Sequence, residues 1–376
     1  MTHVVVLGAG RVGAVMARDL APDFKVTVAD RSEEALARVK VWGLATRPAD
    51  LGSPEGVKAA VADADIVVGA VPGFMGFATA KAVLEAGKTL IDISFFDEDC
   101  FELDALAKAR NLTAIVDVGV APGCGNIILG DTARQIDKVT KFECLVGGLP
   151  VVRTWPYEYK AGFSPIDVIE EYTRPARYVK DGKTVTFPAL SEPELLDFAG
   201  VGTLESFNTD GLRSVIKTFP GVPDMKEKTL RYPGHIEKMR MMRESGFFSK
   251  EPITVNGRQV VPLELTTALL FPLWKFQEGE ADLTVMRVTV EGEKAGRPVR
   301  RVVEVLDYYD PATKTTSMAR TTGFTCTAAV RLFAAGKFTR KGICPPEYLG
   351  LEAGCWDFMK AELAKRNVIY REHPQG

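Results

Sequence analysis

The chain has 376 residues, 46% of them apolar and 26% charged, with 47 Lys and Arg against 49 Asp and Glu and a formal net charge of −2. That length suits two domains, each able to bury its own core. The near-balanced charge gives no field to draw the whole chain to nucleic acid or an anionic membrane, and no apolar stretch approaches the ~20 residues of a membrane span. The 34 Gly and 22 Pro are ordinary usage, which excludes fibrous and disordered classes. Six scattered cysteines without a C-x-x-C pair read as reduced cytosolic thiols. His3, His235 and His373 are too dispersed for a metal site, and none is expected. An apolar run from Val4 leaves no room for a basic leader, so a cytoplasmic protein is expected.

The first 120 residues alternate between strand and helix. Residues 3–7 are a continuous apolar run, the pattern of a parallel strand buried on both faces. Residues 12–20 carry apolar side chains at helical spacing, 25–29 form a second strand ending at Asp30, and 33–41 form a second helix. Strands follow at 65–71, 89–93 and 113–116, with helices at 77–85 and 103–109. This alternation predicts βαβ units and an α/β fold with a doubly wound parallel sheet.

Past Gly125 the rhythm changes. Residues 141–146 are strand-like, and Asp181-Gly182 and Asn256-Gly257 each separate two short strand-like runs, which is a hairpin signal. Residues 283–290 and 299–308 alternate as two long antiparallel strands. A second, α+β domain with a mixed, largely antiparallel sheet is predicted. Residues 323–335 read as a helix stopped at Gly336 that returns the chain to the first domain. The expected division is therefore a dinucleotide-binding domain of 1–125 and 323–376 around a substrate-binding and oligomerisation domain of 126–322.

The strongest motif is Leu7-Gly8-Ala9-Gly10-Arg11-Val12-Gly13. Three glycines directly after a strand and opening a helix permit a tight turn, a close approach of backbone to a pyrophosphate, and helix-on-strand packing. Arg11 and Val12 begin the helix whose N-terminus would hold the negative charge. Asp30, at the end of the second strand, is placed to take ribose hydroxyls and favours NAD. Arg31 beside it can accept a 2′-phosphate, which keeps NADP open, or stack on adenine. Val71-Pro72, Asp92 with Ser94, and Asp117 with Gly119 end later strands at the carboxyl edge where open α/β sheets bind ligands. Each of these also reads as a helix cap or loop turn.

Two later stretches are dense in polar groups: Glu205-Ser206-Phe207-Asn208-Thr209-Asp210-Gly211-Leu212-Arg213 and Leu230-Arg231-Tyr232-Pro233-Gly234-His235. An amino-acid substrate needs an Arg for its carboxylate, carboxylates for its amine and a base titrating near neutrality. Arg231 or Arg213 is expected for the first, Glu205 and Asp210 for the second and His235 for the third. Tyr232 suits either the site or packing, and Asp210 with Arg213 suits a surface pair. Cys124, after Pro122-Gly123, reads as a small buried thiol. The basic run 297–301 reads as a solvated strand face, and Met239, Met241 and Met242 as core or interface.

These stretches, with Asp92-Ile93-Ser94-Phe95-Phe96 and Gly119-Val120-Ala121-Pro122-Gly123, resemble the saccharopine dehydrogenase-like family over nearly the whole chain, and within it the lysine 6-dehydrogenase branch. The resemblance implies a Rossmann domain joined to an α+β domain, and a homodimer or homotetramer. It also implies NAD-dependent oxidation at the ε-carbon of lysine to an iminium that water converts to ammonia and a cyclising semialdehyde. Saccharopine reductases usually carry Asp at the place of Ala121 and Asp-His at Gly125-Asn126, so this chain departs from them at a carboxylate a larger substrate would use. The alternatives are a saccharopine or carboxynorspermidine reductase working with NADPH, and a non-catalytic NAD(H)-binding regulator.

Overall fold

The computed structural model describes residues 1–373. The chain folds as two compact units. One comprises Met1–Lys138, Glu293–Arg297 and Ala319–Tyr370, and the other Val139–Gly292, Pro298–Met318 and, of the described residues, 371–373. The helix Cys124–Gln135 thus belongs to the first unit, whereas the expected division, after Gly125, falls within its first turn.

The first unit is built on a seven-stranded, wholly parallel sheet. Its strands run in the order Gly342–Cys344, Thr113–Ile115, Thr89–Asp92, Ile66–Gly69, His3–Leu7, Lys25–Asp30, Ala45–Pro48. The first six in the sequence therefore lie in the order 3-2-1-4-5-6 of a Rossmann fold. Its direction reverses between His3–Leu7 and Ile66–Gly69, both of which are buried throughout. Val5, Leu7, Val67 and Leu90 pack in one cluster with Val57, Ala60, Ala80, Val83, Leu84 and Ala107 from the connecting helices. Each such side chain withdrawn from water contributes about 1.5–3 kcal/mol for the larger aliphatics.

Three elements of this sheet layer carry no sequence signal of the expected kind. The strand Ala45–Pro48 is an edge strand with no buried residue, so it needs no apolar run. The helix Pro54–Ala60, capped by Ser53, is short, and Gly342–Cys344 pairs only because the chain returns to the far edge beside Thr113–Ile115. The long helix begins at Ser317 and ends at Ala334, six residues ahead of the expected start. It stops as expected at Gly336 (φ 66°), where the Gly336 and Lys337 N–H groups donate to the Phe333 and Leu332 carbonyls in a Schellman arrangement.

The second unit carries a nine-stranded mixed sheet with a main path of Glu194–Phe198, Gly202–Asn208, Asp224–Arg231, Lys138–Pro150, Asp282–Lys294, Arg297–Tyr308, Tyr370–His373. Asp224–Arg231 pairs parallel with Lys138–Pro150 and antiparallel with Gly202–Asn208. The hairpin Ala176–Lys180 to Lys183–Phe187 turns at Asp181-Gly182, and the separate hairpin Ile253–Val255 to Arg258–Val260 at Asn256-Gly257, all four turn residues having positive φ. Along Asp224–Arg231 the side chains alternate between two cores. Leu230 joins Leu145, Leu149, Phe198 and Leu283. Arg231 points instead to the side packed by Tyr159, Tyr172, Phe207 and Trp274.

In the first unit the helices Cys124–Gln135 and Pro346–Leu351 meet backbone to backbone. A Cβ on Gly130 would enter the Glu347 carbonyl oxygen, and one on Gly350 would lie 2.6 Å from the Asp131 nitrogen. Gly350→Ala is expected to lose about 1–3 kcal/mol through this overpacking. Urea unfolding of the variant against the parent checks it.

Candidate active site

The glycine loop sits at the point where the parallel sheet reverses direction. Gly8 has φ 110°, and a Cβ on it would lie 2.5 Å from the Ala70 carbonyl oxygen, while one on Gly13 would enter the Gly8 carbonyl. Gly10 differs: a Cβ there meets no atom within 4 Å, and its backbone is extended rather than left-handed. Its missing side chain therefore serves nothing inside the chain. It leaves open the approach to the N-terminus of the helix Arg11–Leu20, where the first-turn N–H groups of Arg11, Val12 and Gly13 and the helix dipole favour a phosphate. A dinucleotide fits this cradle.

Asp30 completes it. Its two carboxylate oxygens accept the Ala9 N–H at 2.7 Å and the Ser32 N–H at 2.8 Å, so it pins the glycine loop to the end of the second strand. Each oxygen keeps a further lone pair for a ribose hydroxyl. Arg31 is exposed beside it. At the fourth strand's end Val71 is buried, and Pro72 caps the helix Gly73–Glu85.

Asp92 and Ser94 are buried together, the Ser94 hydroxyl donating to Asp92 at 2.9 Å. The Asp92 carboxylate lies over Gly69, where a Cβ would run into it. Asp117 is buried with φ 55°. Gly119 closes a turn on itself, its N–H donating to the Pro122 carbonyl at 3.1 Å. Asn126 is held by the Gly123 N–H and by Glu347 at 3.2 Å each. Cys124 is buried against Thr325, and burial pushes its thiol up to about 11, so it is protonated at neutral pH.

The structure brings Arg231 and His235 into one buried polar chain. The Glu171 carboxylate accepts from Arg231 Nη2 at 2.6 Å, Arg231 Nε donates to the Tyr172 hydroxyl at 3.3 Å, and that hydroxyl lies 2.9 Å from His235 Nε2. His235 Nδ1 lies 2.8 Å from the Tyr157 carbonyl. A carbonyl only accepts, so Nδ1 carries the proton and Nε2 accepts from Tyr172. The guanidinium lies 4.4 Å from the Tyr159 ring centre, and Trp274 packs edge-on against Tyr159 and Tyr172.

Electrostatics follow from this enclosure. Burial, then the Arg231 charge, lowers the His235 imidazole to about 3. Burial pushes the Tyr172 phenol up to about 12, and raises Glu171 against the pull of Arg231. Burial works against the Arg231 charge too, yet Tyr172, Tyr159 and Glu171 hold it firmly protonated.

Of the other expected residues, Asp210, Tyr232 and Glu205 hydrogen-bond to groups outside this polar chain. Asp210 forms a bidentate pair with Arg177 at 2.8 and 2.7 Å. Tyr232 faces the opposite core, donates to the Pro150 carbonyl at 2.9 Å and lies under Arg153. Arg213 is buried with φ 48°. Glu205 is half-buried, pairs in register with Arg231 across the sheet and accepts the Gly234 N–H at 3.0 Å. Sequence reasoning passed over Tyr159, Glu171, Tyr172 and Trp274. The helical spacing of Val168, Ile169 and Tyr172 was the available signal of a buried face.

Residues 4–115 match the saccharopine dehydrogenase NADP binding domain, and residues 119–369 the saccharopine dehydrogenase C-terminal domain. The chain belongs to the saccharopine dehydrogenase family. It is an NAD(P)-dependent oxidoreductase of that type, acting on CH–NH groups. It is 23% identical to saccharopine dehydrogenase [NADP(+), L-glutamate-forming] of Pyricularia oryzae, over 86% of this chain and 88% of that one. Carboxyaminopropylagmatine dehydrogenase of Synechocystis is 22% identical over 79% of each chain. Mouse alpha-aminoadipic semialdehyde synthase is 24% identical over 69% of this chain, which spans 30% of that longer protein. The fold matches the apo saccharopine dehydrogenase (L-Glu forming) of Saccharomyces cerevisiae with TM-score 0.79, 19% identity and full coverage of both. Among the described residues no helix is long and apolar enough to cross a membrane.

Two measurements test this geometry. Gly10→Ala is expected to unfold with the parent but to bind reduced dinucleotide at least about tenfold more weakly, whereas Gly13→Ala is expected to lose stability. Fluorescence titration and thermal melts separate the two. For His235, the unfolded imidazole takes a proton below about pH 6.5 while the folded one does not until about 3. Its contribution to stability is therefore intact above pH 6.5 and drains as pH falls, by about 1.4 kcal/mol per pH unit. Unfolding free energies from pH 7 to 4 should show that slope reduced by one proton in His235→Asn.

Proposed function

We propose that the chain oxidises the primary ε-amine of free lysine with NAD⁺ and water, giving reduced cofactor, ammonia and the semialdehyde. The observation that carries this reading is the turn Gly119–Gly123 at the carboxyl edge of the parallel sheet. Its position 121 is an alanine, and Asn126, the next polar group, is already held by Gly123 and Glu347. A turn without a carboxylate suits a substrate lacking the second amino-acid arm of saccharopine.

When bound, the nicotinamide supplies the hydride acceptor. Asp30 orients the ribose and disfavours a 2′-phosphate by charge, and Gly10 admits the pyrophosphate. Glu205 is assigned to orient the amine. Arg231 or Arg213 is assigned the carboxylate, both being buried in the second unit. His235 is assigned a positioning role rather than proton transfer, because both ring nitrogens are occupied and the ring stays neutral at any physiological pH.

A second reading, an NADPH-linked reductase forming a secondary amine, is favoured by the NADP(+) in the names of several relatives. Initial rates with lysine, ornithine and saccharopine, each with NAD⁺ and NADP⁺, decide between them. The proposal expects lysine with NAD⁺ to dominate, and saccharopine turnover without lysine turnover overturns it. Asp30→Asn is expected to narrow the preference for NAD⁺ by about tenfold, and an unchanged ratio removes Asp30 from cofactor selection.

A further inference from the structure

The strand Lys138–Pro150 runs parallel with Asp224–Arg231, so the chain leaves both at one edge of the second unit's sheet. Beyond that edge residues 151–155 are exposed without a break. Val151, Val152 and Trp155 among them are 42%, 73% and 81% exposed. Single apolar residues at a surface need no explanation, but two valines and a bare indole on one short loop form a patch. Among the described residues the Trp155 indole has neither a hydrogen bond nor a ring contact.

The loop is nevertheless held in shape. At its start the Val151 N–H donates to the Ala281 carbonyl at 3.0 Å, and the Pro150 carbonyl accepts from the Tyr232 hydroxyl. At its end the Tyr157 carbonyl accepts from His235 Nδ1, and Tyr159 lies in the core. Between these anchors Arg153 Nε donates to Glu158 at 2.7 Å, the guanidinium lies 4.7 Å from the Tyr232 ring centre, and the Glu158 N–H donates to the Thr154 carbonyl at 2.8 Å. These restraints fall on the neighbours of Trp155 and leave its indole facing water on a braced loop. Covering such a side chain costs little further ordering of the backbone. The stack of Arg153 on Tyr232 also sets the loop beside the segment Tyr232–Gly234, whose Gly234 N–H donates to Glu205.

An amino acid whose side-chain amine is oriented by Glu205 is charged at both ends and apolar between them. Glu205, Arg231 and Arg213 suit the ends and do nothing for the methylenes, which need apolar cover to leave water. We propose that Trp155, with Val152 beside it, is the wall against which the methylene chain of the substrate packs. An indole suits this task, because it offers a large flat area with few rotatable bonds to freeze. The inference rests on the reading of this edge as the place where the substrate nitrogen meets Glu205. Lysine and saccharopine share the methylene chain and differ in what their nitrogen carries, so the wall accepts the chain and leaves that choice to the polar groups.

Fluorine NMR on protein grown with 5-fluorotryptophan reads the wall directly. The chain has four Trp, and the line missing from Trp155→Phe belongs to Trp155. That line should carry the H2O-to-D2O shift of an exposed indole in the free protein and with NADH alone. It should lose the shift when lysine is added to the NADH complex, which cannot turn over. Trp155→Ala should raise KM for the amino acid about tenfold or more while kcat, NADH affinity and melting temperature hold, the pattern of lost uniform binding. Trp155→Phe should recover most of the loss. Should Trp155→Ala fail to fold, the fluorine line of the parent decides. Saccharopine turned over and shielding Trp155 while lysine does neither would support the wall and remove lysine as the substrate. A turned-over amino acid that leaves the line exposed, an unchanged KM in Trp155→Ala, or shielding by NADH alone would each overturn the wall whichever amino acid reacts. Neither turnover nor shielding with either amino acid would overturn both readings.

Discussion

Backbone meets backbone where the chain leaves the strands His3–Leu7 and Ile66–Gly69. The Ala70 N–H donates to the Leu7 carbonyl and the Gly8 N–H to Ala29, while Gly8 and Gly13 leave no space for a side chain between these segments. Three strand ends and one helix are thereby drawn to a single point. Asp30 then fixes Ala9, so the only slack left in the loop is the open side of Gly10. A phosphate-binding cradle here is a by-product of tight packing: the glycines needed to close the sheet's reversal also bare the helix N-terminus.

The second unit rests on a different device. Arg231 is a charge placed inside an apolar, aromatic layer, which is costly unless every donor finds a partner. Glu171, Tyr172, Tyr159 and the Leu230 carbonyl supply those partners, and His235 completes the chain as a neutral acceptor. The network is directional: each hydrogen has one assignment from Arg231 through Tyr172 to His235. It locks the strand Asp224–Arg231 to the helices Pro165–Thr173 and His235–Glu244. Arg231 and His235, candidates for catalysis by residue type, are thus joined in an internal brace, and Glu205, in register with Arg231 but less buried, is the polar group left nearer the surface of that layer.

Local chemistry made much of this legible. Continuous apolar runs marked the central parallel strands because both of their faces are covered, and Gly336, Asp181-Gly182 and Asn256-Gly257 marked the places where φ must turn positive. Ala45–Pro48 left no such mark, since an edge strand is held by backbone hydrogen bonds that any side chains permit. The three methionines of the helix His235–Glu244 did not share one environment: Met239 is buried, Met242 packs against the same core and Met241 is exposed, because residues three apart share a helix face and those two apart do not. Asp210 and Arg213, three apart, suggested a pair, yet the partner of Asp210 is Arg177, brought in by the hairpin that pairs with Asp224–Arg231.

Length, charge and the spacing of glycines and apolar residues determined that this protein has a nucleotide-binding parallel sheet and a separate mixed-sheet unit, since those properties depend on periods of two to four residues and on backbone freedom. Which polar groups face one another was decided only by tertiary structure. Glu171, Tyr172, Arg231 and His235 span 65 positions of the chain, and nothing in their local patterns specifies that they meet. Their protonation followed from that meeting, because the water excluded by Trp274 and Phe207 sets the electrostatics of the imidazole more than its own chemistry does. The near-neutral total of 47 basic and 49 acidic residues concealed this, as a count carries no information about depth.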